Sequence, residues 1–148
     1  MTNGAGKGGK YRNMKKLHIW IIEDDLEMQQ HYKEQFKEDL HDRLPLHTLK
    51  LFVNPGYAAQ SNSPVDIIFM DIAPMSCGTG TWPVALANAR GLMKLYPGAV
   101  LILYSAIGCY AEEIAEELKE DATAEGVILD FIAGCGAHLF KEKVILYG

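Results

Sequence analysis

The stretch Leu17-His-Ile-Trp-Ile-Ile22 decides the fold, because it is a short and nearly continuous apolar run that leads directly into Glu23-Asp24-Asp25. A run of this length and composition is typical of a strand that is buried on both faces of a sheet. Apolar residues then recur at every fourth position from Met28 to Leu40, among Gln, Glu and Lys. This period predicts an amphipathic helix from Leu26 to Leu40.

The rest of the chain alternates strand and helix patterns in the same way. Further strands are predicted at Leu46 to Val53, Val65 to Met70, Ala99 to Tyr104 and Ala137 to Phe140. Helices are predicted at Tyr57 to Gln60, from Thr81 to the Pro97-Gly98 break, around the stripe of Tyr110, Ile114 and Leu118, and at Ala124 to Ala133. Because strands and helices alternate, we expect a doubly wound, mostly parallel five-stranded sheet with helices on both faces.

The composition fits one ordinary globular domain. The chain has 148 residues, of which 49% are hydrophobic and 22% charged, close to average domain usage. Residues 1–16 differ, because they hold four of the 14 glycines, four lysines, one arginine and almost no apolar side chain. We therefore expect a flexible tail at 1–16 and a single domain at 17–148.

The charge balance and the cysteines disfavour several classes of protein. With 14 Lys and Arg against 19 Asp and Glu, the formal net charge is −5, which argues against direct binding to nucleic acid. No apolar run approaches the roughly 18–20 residues that span a bilayer, and no signal peptide is recognisable. Cys77, Cys109 and Cys135 form neither a CxxC pair nor an even set. The sequence therefore predicts a cytoplasmic protein that does not bind a membrane.

Four of the predicted strands end in side chains that carry chemistry. The first ends in Glu23-Asp24-Asp25, the third in Asp71, the fourth in Ser105 and the fifth in Lys141. The carboxyl ends of parallel strands share one edge of a sheet, where ligands bind in such folds. Clustered carboxylates repel one another, and a hard cation such as Mg²⁺ relieves that repulsion. The edge therefore predicts a magnesium site beside Asp71. Asp71 would attack phosphorus as a nucleophile, and Lys141 and Ser105 would bind the phosphoryl group.

Each of these residues also has a simpler interpretation when it is taken alone. Asp24-Asp-Leu-Glu27 has the form of a capping box, so Asp24 or Asp25 could cap the following helix without a metal. Asp71 could be an ordinary turn residue after a strand, and Lys141 a solvated lysine. Acidic residues at the ends of two predicted strands, Glu23 and Asp24 after the first and Asp71 after the third, favour a site over these simpler interpretations.

Together these motifs resemble the receiver domain of two-component response regulators. The resemblance covers about residues 17–141 and rests on four short segments: Ile21-Ile-Glu23-Asp24-Asp25, Phe69-Met-Asp71-Ile72, Leu103-Tyr-Ser105-Ala106 and Leu139-Phe-Lys141. It implies a flavodoxin-like fold and an aspartate that accepts a phosphoryl group from a histidine kinase or a histidine phosphotransfer protein.

The resemblance also implies a role for each matching residue. Asp71 corresponds to the phosphoacceptor, and Glu23 and Asp24 to the acidic pair that holds Mg²⁺ together with the backbone carbonyl of Ala73. Ser105 corresponds to the switch hydroxyl and Lys141 to the phosphate-binding lysine. His138, three residues before that lysine, takes the place of the family's switch aromatic.

Two departures from the family pattern lie towards the end of the chain. Ser105 and Lys141 are 36 positions apart, which is more than the family usually has. Only seven residues follow Lys141, too few for the family's last helix. The final helix is therefore expected to be missing or replaced.

Three functions are compatible with these residues. The first is a phosphoacceptor signalling domain that works by binding a downstream protein of unknown identity, with no enzymatic activity beyond slow self-dephosphorylation. Its oligomeric state is open, and a homodimer is one option. The second is a receiver-fold interaction module that works without phosphorylation. The third is an aspartyl-nucleophile phosphohydrolase, which is disfavoured because Ala73 stands where such enzymes place an acid–base aspartate.

Overall fold

The structure is a computed structural model, and it describes residues 17–43, 47–72, 81–105, 110–134 and 136–148. The predicted tail at 1–16, Ala73 and all three cysteines lie outside these ranges. Expectations for those residues therefore remain predictions.

Five parallel strands form one sheet in the order β2-β1-β3-β4-β5. The strands are β1 (Leu17–Ile22), β2 (His47–Phe52), β3 (Ile67–Asp71), β4 (Val100–Tyr104) and β5 (Leu129–Ile132). The helices within the described ranges are α1 (Leu26–Arg43), α2 (Pro55–Ala59), α3 (Thr81–Leu95), α4 (Tyr110–Glu117), α5 (Lys119–Glu125) and α6 (Ala137–Tyr147). This is the predicted doubly wound α/β fold, and its strand order reverses between β1 and β3.

Helices cover both faces of the sheet, as expected. The first face packs against α1 and α6, through Tyr32 and Phe36 on one helix and Phe140 and Val144 on the other. The second face packs against α2, α3, α4 and α5. Side chains alternate along each strand, so every second residue of β1, β3 and β4 enters each of the two cores. The fully buried run Ile19 to Ile22 shows why β1 reads as continuously apolar.

The predicted helix from Ala124 to Ala133 is wrong. In its place α5 ends at Glu125, and β5 begins four residues later. Gly126 has a φ of +70° and its N–H donates to the carbonyls of Ala122 and Thr123, which is a left-handed helix end. Val127 also donates to the Ala122 carbonyl, at 2.9 Å, so the chain leaves the helix and enters the sheet.

The predicted strand from Ala137 to Phe140 is also wrong, because α6 occupies Ala137–Tyr147. The final helix is therefore present, contrary to the expectation that it is missing or replaced. Gly134 and Gly136, with φ values of +140° and +147°, separate the end of β5 from this helix. The buried residues of α6 are Ala137, Phe140, Lys141 and Val144, a helical spacing in which a lysine occupies one core-facing position. A charged residue at that position hides the helical period in the sequence.

The other element boundaries follow the predictions closely. β1 occupies the predicted residues, and β2, β3 and β4 differ from their predicted limits by one or two residues. No helix among the described residues combines the length and the apolar character needed to cross a membrane.

Candidate functional site

Three carboxyl groups meet at the carboxyl edge of the sheet, beside the reversal of strand order. β1 and β3 pair in parallel with Ile22 opposite Met70, so Glu23 and Asp71 leave the two strands side by side. One oxygen from each of Glu23, Asp24 and Asp71 lies within 4.8 Å of the others. The structure therefore brings together the three acidic side chains that the sequence assigned to a metal site.

The capping alternative applies to Asp25. Asp25 Oδ1 accepts hydrogen bonds from the backbone N–H groups of Glu27 at 3.0 Å and Met28 at 3.4 Å, at the start of α1. These are the contacts of an N-cap residue, and they satisfy donors that the first helical turn leaves open. Asp25 therefore caps the helix, whereas Asp24 belongs to the carboxyl cluster.

Glu23 is held firmly in a buried position, with 5% of its surface exposed. Its Oε1 accepts a hydrogen bond from the Tyr104 hydroxyl at 2.9 Å, and its Oε2 accepts one from the Asp25 N–H at 3.2 Å. Its backbone is fixed as well, because its N–H donates to the Phe52 carbonyl and its carbonyl accepts from Gln29 Nε2. The carboxyl group thus has a defined orientation toward Asp71.

The cluster is electrostatically strained without a cation. Burial, then the negative charge of Asp71 and a hydrogen bond with its carboxyl group, raise the pKa of Glu23 to about 8. Near neutral pH the isolated site therefore keeps a proton that a bound cation would displace. Oxygen-only donors at this spacing suit a hard divalent ion such as Mg²⁺, which binds through one or two carboxylates and several waters. The donor set therefore fits the predicted metal.

Ser105 lies at the same edge, directly after β4. Asp71 is opposite Tyr104 in the β3–β4 pairing, so Ser105 stands one residue beyond the level of Asp71. Its surface is fully buried. The structure thus places Ser105 at the strand end where the sequence put it.

The structure does not place Lys141 and His138 at a strand end. Both belong to α6, where Lys141 is 9% exposed on the buried face and His138 is exposed in the first turn. The residues that follow β5 are Ala133-Gly-Cys-Gly136, so no lysine stands directly at the end of that strand. The predicted positions of Lys141 and His138 were wrong because the fifth strand was assigned eight residues too late.

Tyr104 is the contributor to this site that the sequence reasoning missed. Its side chain is 1% exposed, and its hydroxyl reaches Glu23 from the end of β4. A tyrosine at the end of an otherwise apolar strand is a signal in itself, because a buried phenol usually has a hydrogen-bond partner. Its pairing with Glu23 depends on strand order, which local sequence patterns do not reveal.

Known proteins resemble this chain in structure and not in sequence. No protein-family model matches the chain, and no curated protein matches it either. Among solved structures, the BeF3-activated receiver domain of DrrB, a protein of Thermotoga maritima, aligns with 90% of this chain and 97% of its own, at 11% identity and a TM-score of 0.59.

Two further structures come from complexes. The Saccharomyces cerevisiae complex of Ypd1 with the receiver domain of Ssk1 contains a chain that aligns over 90% of this chain and 89% of its own, at 14% identity and a TM-score of 0.60. The complex of the CheA3 P1 domain with CheY6 from R. sphaeroides contains a chain that aligns with 90% of this chain and with 95% of its own length, at 20% identity and a TM-score of 0.52. The chain therefore has the flavodoxin-like fold of response regulator receiver domains.

Proposed function

We propose that this chain is a phosphoacceptor signalling domain of a two-component phosphorelay, with Asp71 as the residue that is phosphorylated. The observation that carries this proposal is the approach of Glu23, Asp24 and Asp71 to within 4.8 Å at the carboxyl edge of the sheet. A nucleophilic carboxylate beside two further acids can approach an anionic phosphoryl group only where a cation offsets their charge.

The transfer step forms one bond at Asp71 and breaks one bond in the donor. A carboxylate oxygen of Asp71 attacks phosphorus as the P–N bond of a phosphohistidine breaks, and the imidazole leaves with the bonding electrons and takes a proton from solvent. Glu23, Asp24 and Asp71 would hold Mg²⁺, with the carbonyl of Ala73 as a further predicted ligand. When bound, Mg²⁺ supplies positive charge that offsets the charge of the phosphoryl oxygens.

Ser105 and Lys141 are proposed to contact the phosphoryl group. Ser105 follows β4 at the level of the acidic edge and offers a hydroxyl donor. Lys141 would act from α6 and not from a strand end. Its neighbour Phe140 contacts Tyr104, and side chains on a helix point toward the helix N-terminus, which in α6 follows β5. That direction leads to the edge where the carboxyl groups meet. His138 remains a predicted switch residue, and its exposure on α6 gives that role no support.

The proposed donor is a histidine kinase or a histidine phosphotransfer protein. Two of the structures with the same fold come from complexes of this kind, one with the phosphotransfer protein Ypd1 and one with the P1 domain of CheA3. We propose that phosphorylation adds charge at the edge and changes a surface that a downstream protein reads. The chain is then a cytoplasmic signalling component whose only reaction is its own phosphorylation and slow dephosphorylation.

The test is incubation of the whole chain with acetyl phosphate and Mg²⁺, followed by intact-mass measurement of the wild type and the Asp71→Asn variant. We expect one phosphoryl adduct on the wild type, its loss when EDTA is added first, and none on the variant. An adduct on both proteins, or on neither, would overturn the assignment.

A second candidate is an interaction module that keeps the fold but is not phosphorylated. It is favoured by one observation, the Ala133-Gly-Cys-Gly136 segment that follows β5 in place of a lysine. This candidate predicts no adduct in the same experiment. Repeated turnover of a phosphomonoester by the wild type would instead indicate a phosphohydrolase.

A further inference from the structure

Tyr104 connects the carboxyl cluster of Glu23, Asp24 and Asp71 to the aromatic side chains of the core on one face of the sheet. The residue ends β4 immediately before Ser105, and its ring lies on the face of the sheet that α1 and α6 cover. Its hydroxyl lies 2.9 Å from Oε1 of Glu23 and 3.3 Å from the backbone carbonyl of Ile22. A phenol has one proton to donate, and the shorter contact identifies the Glu23 carboxyl as its main acceptor.

This contact restricts the orientation of Glu23. The Asp25 N–H occupies Oε2 of the same carboxyl group at 3.2 Å, so each oxygen has one fixed donor. A carboxyl oxygen has two acceptor positions, so each oxygen of Glu23 can also interact with a second partner within the site. With both donors in place, the carboxyl group cannot rotate without breaking a hydrogen bond. Tyr104 therefore helps to determine where Glu23 presents its oxygens to Asp24 and Asp71.

The ring that carries the hydroxyl is itself immobilised. Phe140 of α6 packs edge-on against it with ring centroids 4.8 Å apart, and Tyr32 of α1 does so at 6.3 Å. Phe140 in turn stacks on Phe69 of β3 at 4.5 Å, with 18° between the ring planes. The hydroxyl position is thus set by side chains from both helices on this face and from the neighbouring strand.

We propose that Tyr104 is a positioning residue for cation binding, which holds the Glu23 carboxyl group in the orientation that the site needs. The inference rests on the proposed function in one respect, namely that Glu23, Asp24 and Asp71 bind Mg²⁺. Residues that hydrogen-bond to metal ligands fix their geometry, and their loss typically lowers metal affinity about 10- to 100-fold. Tyr104 has this relation to Glu23.

The test is calorimetric titration of Mg²⁺ into the whole metal-free chain, for the wild type and for Tyr104→Phe. Phenylalanine keeps the packing against Phe140 and removes only the hydroxyl, so we expect a folded variant whose Mg²⁺ affinity is lowered about 10-fold. The matched control is Tyr96→Phe. The Tyr96 hydroxyl also makes internal hydrogen bonds, to the carbonyls of Ala58 at 2.7 Å and Ser61 at 2.9 Å, but its ring packs against Trp20 in the other core. Tyr96→Phe should bind Mg²⁺ like the wild type.

A second measurement reports on Tyr104 directly in the wild-type chain. In a chain labelled with ¹³C at the tyrosine Cζ position, one of the seven tyrosine signals should shift as Mg²⁺ is added. Loss of that signal in Tyr104→Phe would assign it.

The outcomes separate this inference from the proposed function. A wild type that binds Mg²⁺ together with an equally tight Tyr104→Phe variant would overturn the inference alone. Equal weakening by Tyr96→Phe would also overturn it, because the effect would then follow from general stability. A wild type that binds no Mg²⁺ would overturn both the metal site and the inference.

Discussion

Glu23 and Asp71 bring a carboxyl oxygen of each to within 4.8 Å of the other, although Glu23 follows β1 and Asp71 ends β3. Two carboxyl groups in such proximity hold a proton between them in the absence of a cation. Burial and the proximity of Asp71 accordingly raise the pKa of Glu23 to about 8, from an ordinary value of 4.5. This pair makes the stability of the metal-free chain depend on pH.

We expect Glu23→Gln to flatten that dependence. In the unfolded chain Glu23 ionises above about pH 4.5, whereas in the folded chain it keeps its proton up to about pH 8. The contribution of Glu23 to stability therefore falls as the pH rises through this window and is constant above it. Glutamine cannot ionise, so the variant should gain on the order of 4 kcal/mol relative to the wild type between about pH 5 and pH 8.5.

Urea unfolding in EDTA across this pH range measures the effect. Glu142→Gln changes an exposed glutamate of α6 and should follow the wild-type curve. A Glu23→Gln curve parallel to that of the wild type would show that Glu23 ionises normally in the folded chain.

Asp24 and Asp25 are adjacent, but we expect mutation of Asp24 to weaken Mg²⁺ binding and mutation of Asp25 to lower the stability of the chain. Asp25→Ala removes the side chain that caps α1, so we expect a loss of about 1 kcal/mol in unfolding free energy and little change in Mg²⁺ affinity. Asp24→Asn removes a charge from the carboxyl cluster, so Mg²⁺ binding should be strongly reduced. Urea unfolding and Mg²⁺ titration of both variants test the division. Equal losses of Mg²⁺ affinity would contradict it.

Asp130 joins β5 to α6, and its partners predict an acid-sensitive contact. Its Oδ2 accepts hydrogen bonds of 2.7 Å from both Lys143 Nζ and the Tyr147 hydroxyl. Burial of Asp130 opposes ionisation, but these two donors, together with the Phe131 N–H and the charge of Lys143, outweigh it and lower its pKa. The stabilisation is therefore present above the ordinary carboxyl pKa of 3.8 and is lost as the pH falls through the lowered value.

Lys143→Met should thus lower the unfolding free energy by about 1 kcal/mol at neutral pH and by less in acid. Arg90→Met is the matched control. Arg90 and Asp121 form an ion pair at 3.2 Å with 45% and 43% of their side chains exposed, so its removal should cost about 0.5 kcal/mol or less. The same cost for both substitutions at neutral pH would contradict a special role for the Asp130 contact.

Two glycines should respond to alanine with opposite signs. Gly126 ends α5 with a φ of +70°, a conformation that alanine adopts at a cost, so Gly126→Ala should destabilise the chain by about 1 kcal/mol. Gly91 lies inside α3, and an added Cβ there would meet no atom within 4 Å. Gly91→Ala should stabilise the chain by about 0.5–1 kcal/mol. Thermal unfolding of the two variants checks both signs, and stabilisation by Gly126→Ala would contradict the left-handed helix end.

The sequence predicts the first four strands well because their signals are local. Leu17 to Ile22 is apolar throughout, and its carboxyl end is marked by acidic residues. Glu23, Asp24, Asp71 and Ser105 could be placed at one edge without any structure, since parallel strands present their carboxyl ends together. Sequence alone could not show which of Asp24 and Asp25 caps α1 and which joins the carboxyl cluster, because both residues fit the capping pattern until the start of the helix is known.

The region from Ala124 to the end of the chain was misread because two features there contradict simple patterns. The stretch Val127 to Ile132 follows a glycine and is rich in β-branched and aromatic residues, but Asp130 interrupts it, so this strand is not a continuous apolar run like β1. Lys141 then occupies a buried helical position that pattern reading reserves for apolar residues. The Tyr104–Glu23 contact was missed for a different reason, since it joins residues 81 positions apart across β3.

The most direct test of the central claim is to locate the phosphoryl group chemically. After incubation with acetyl phosphate and Mg²⁺, borohydride reduces an aspartyl phosphate to homoserine, and peptide mass spectrometry then identifies the position. We expect homoserine at position 71 in the wild type, and none when Mg²⁺ is omitted. Phosphorylation without any reduced residue at position 71, or with the reduced residue at another carboxyl group, would contradict it.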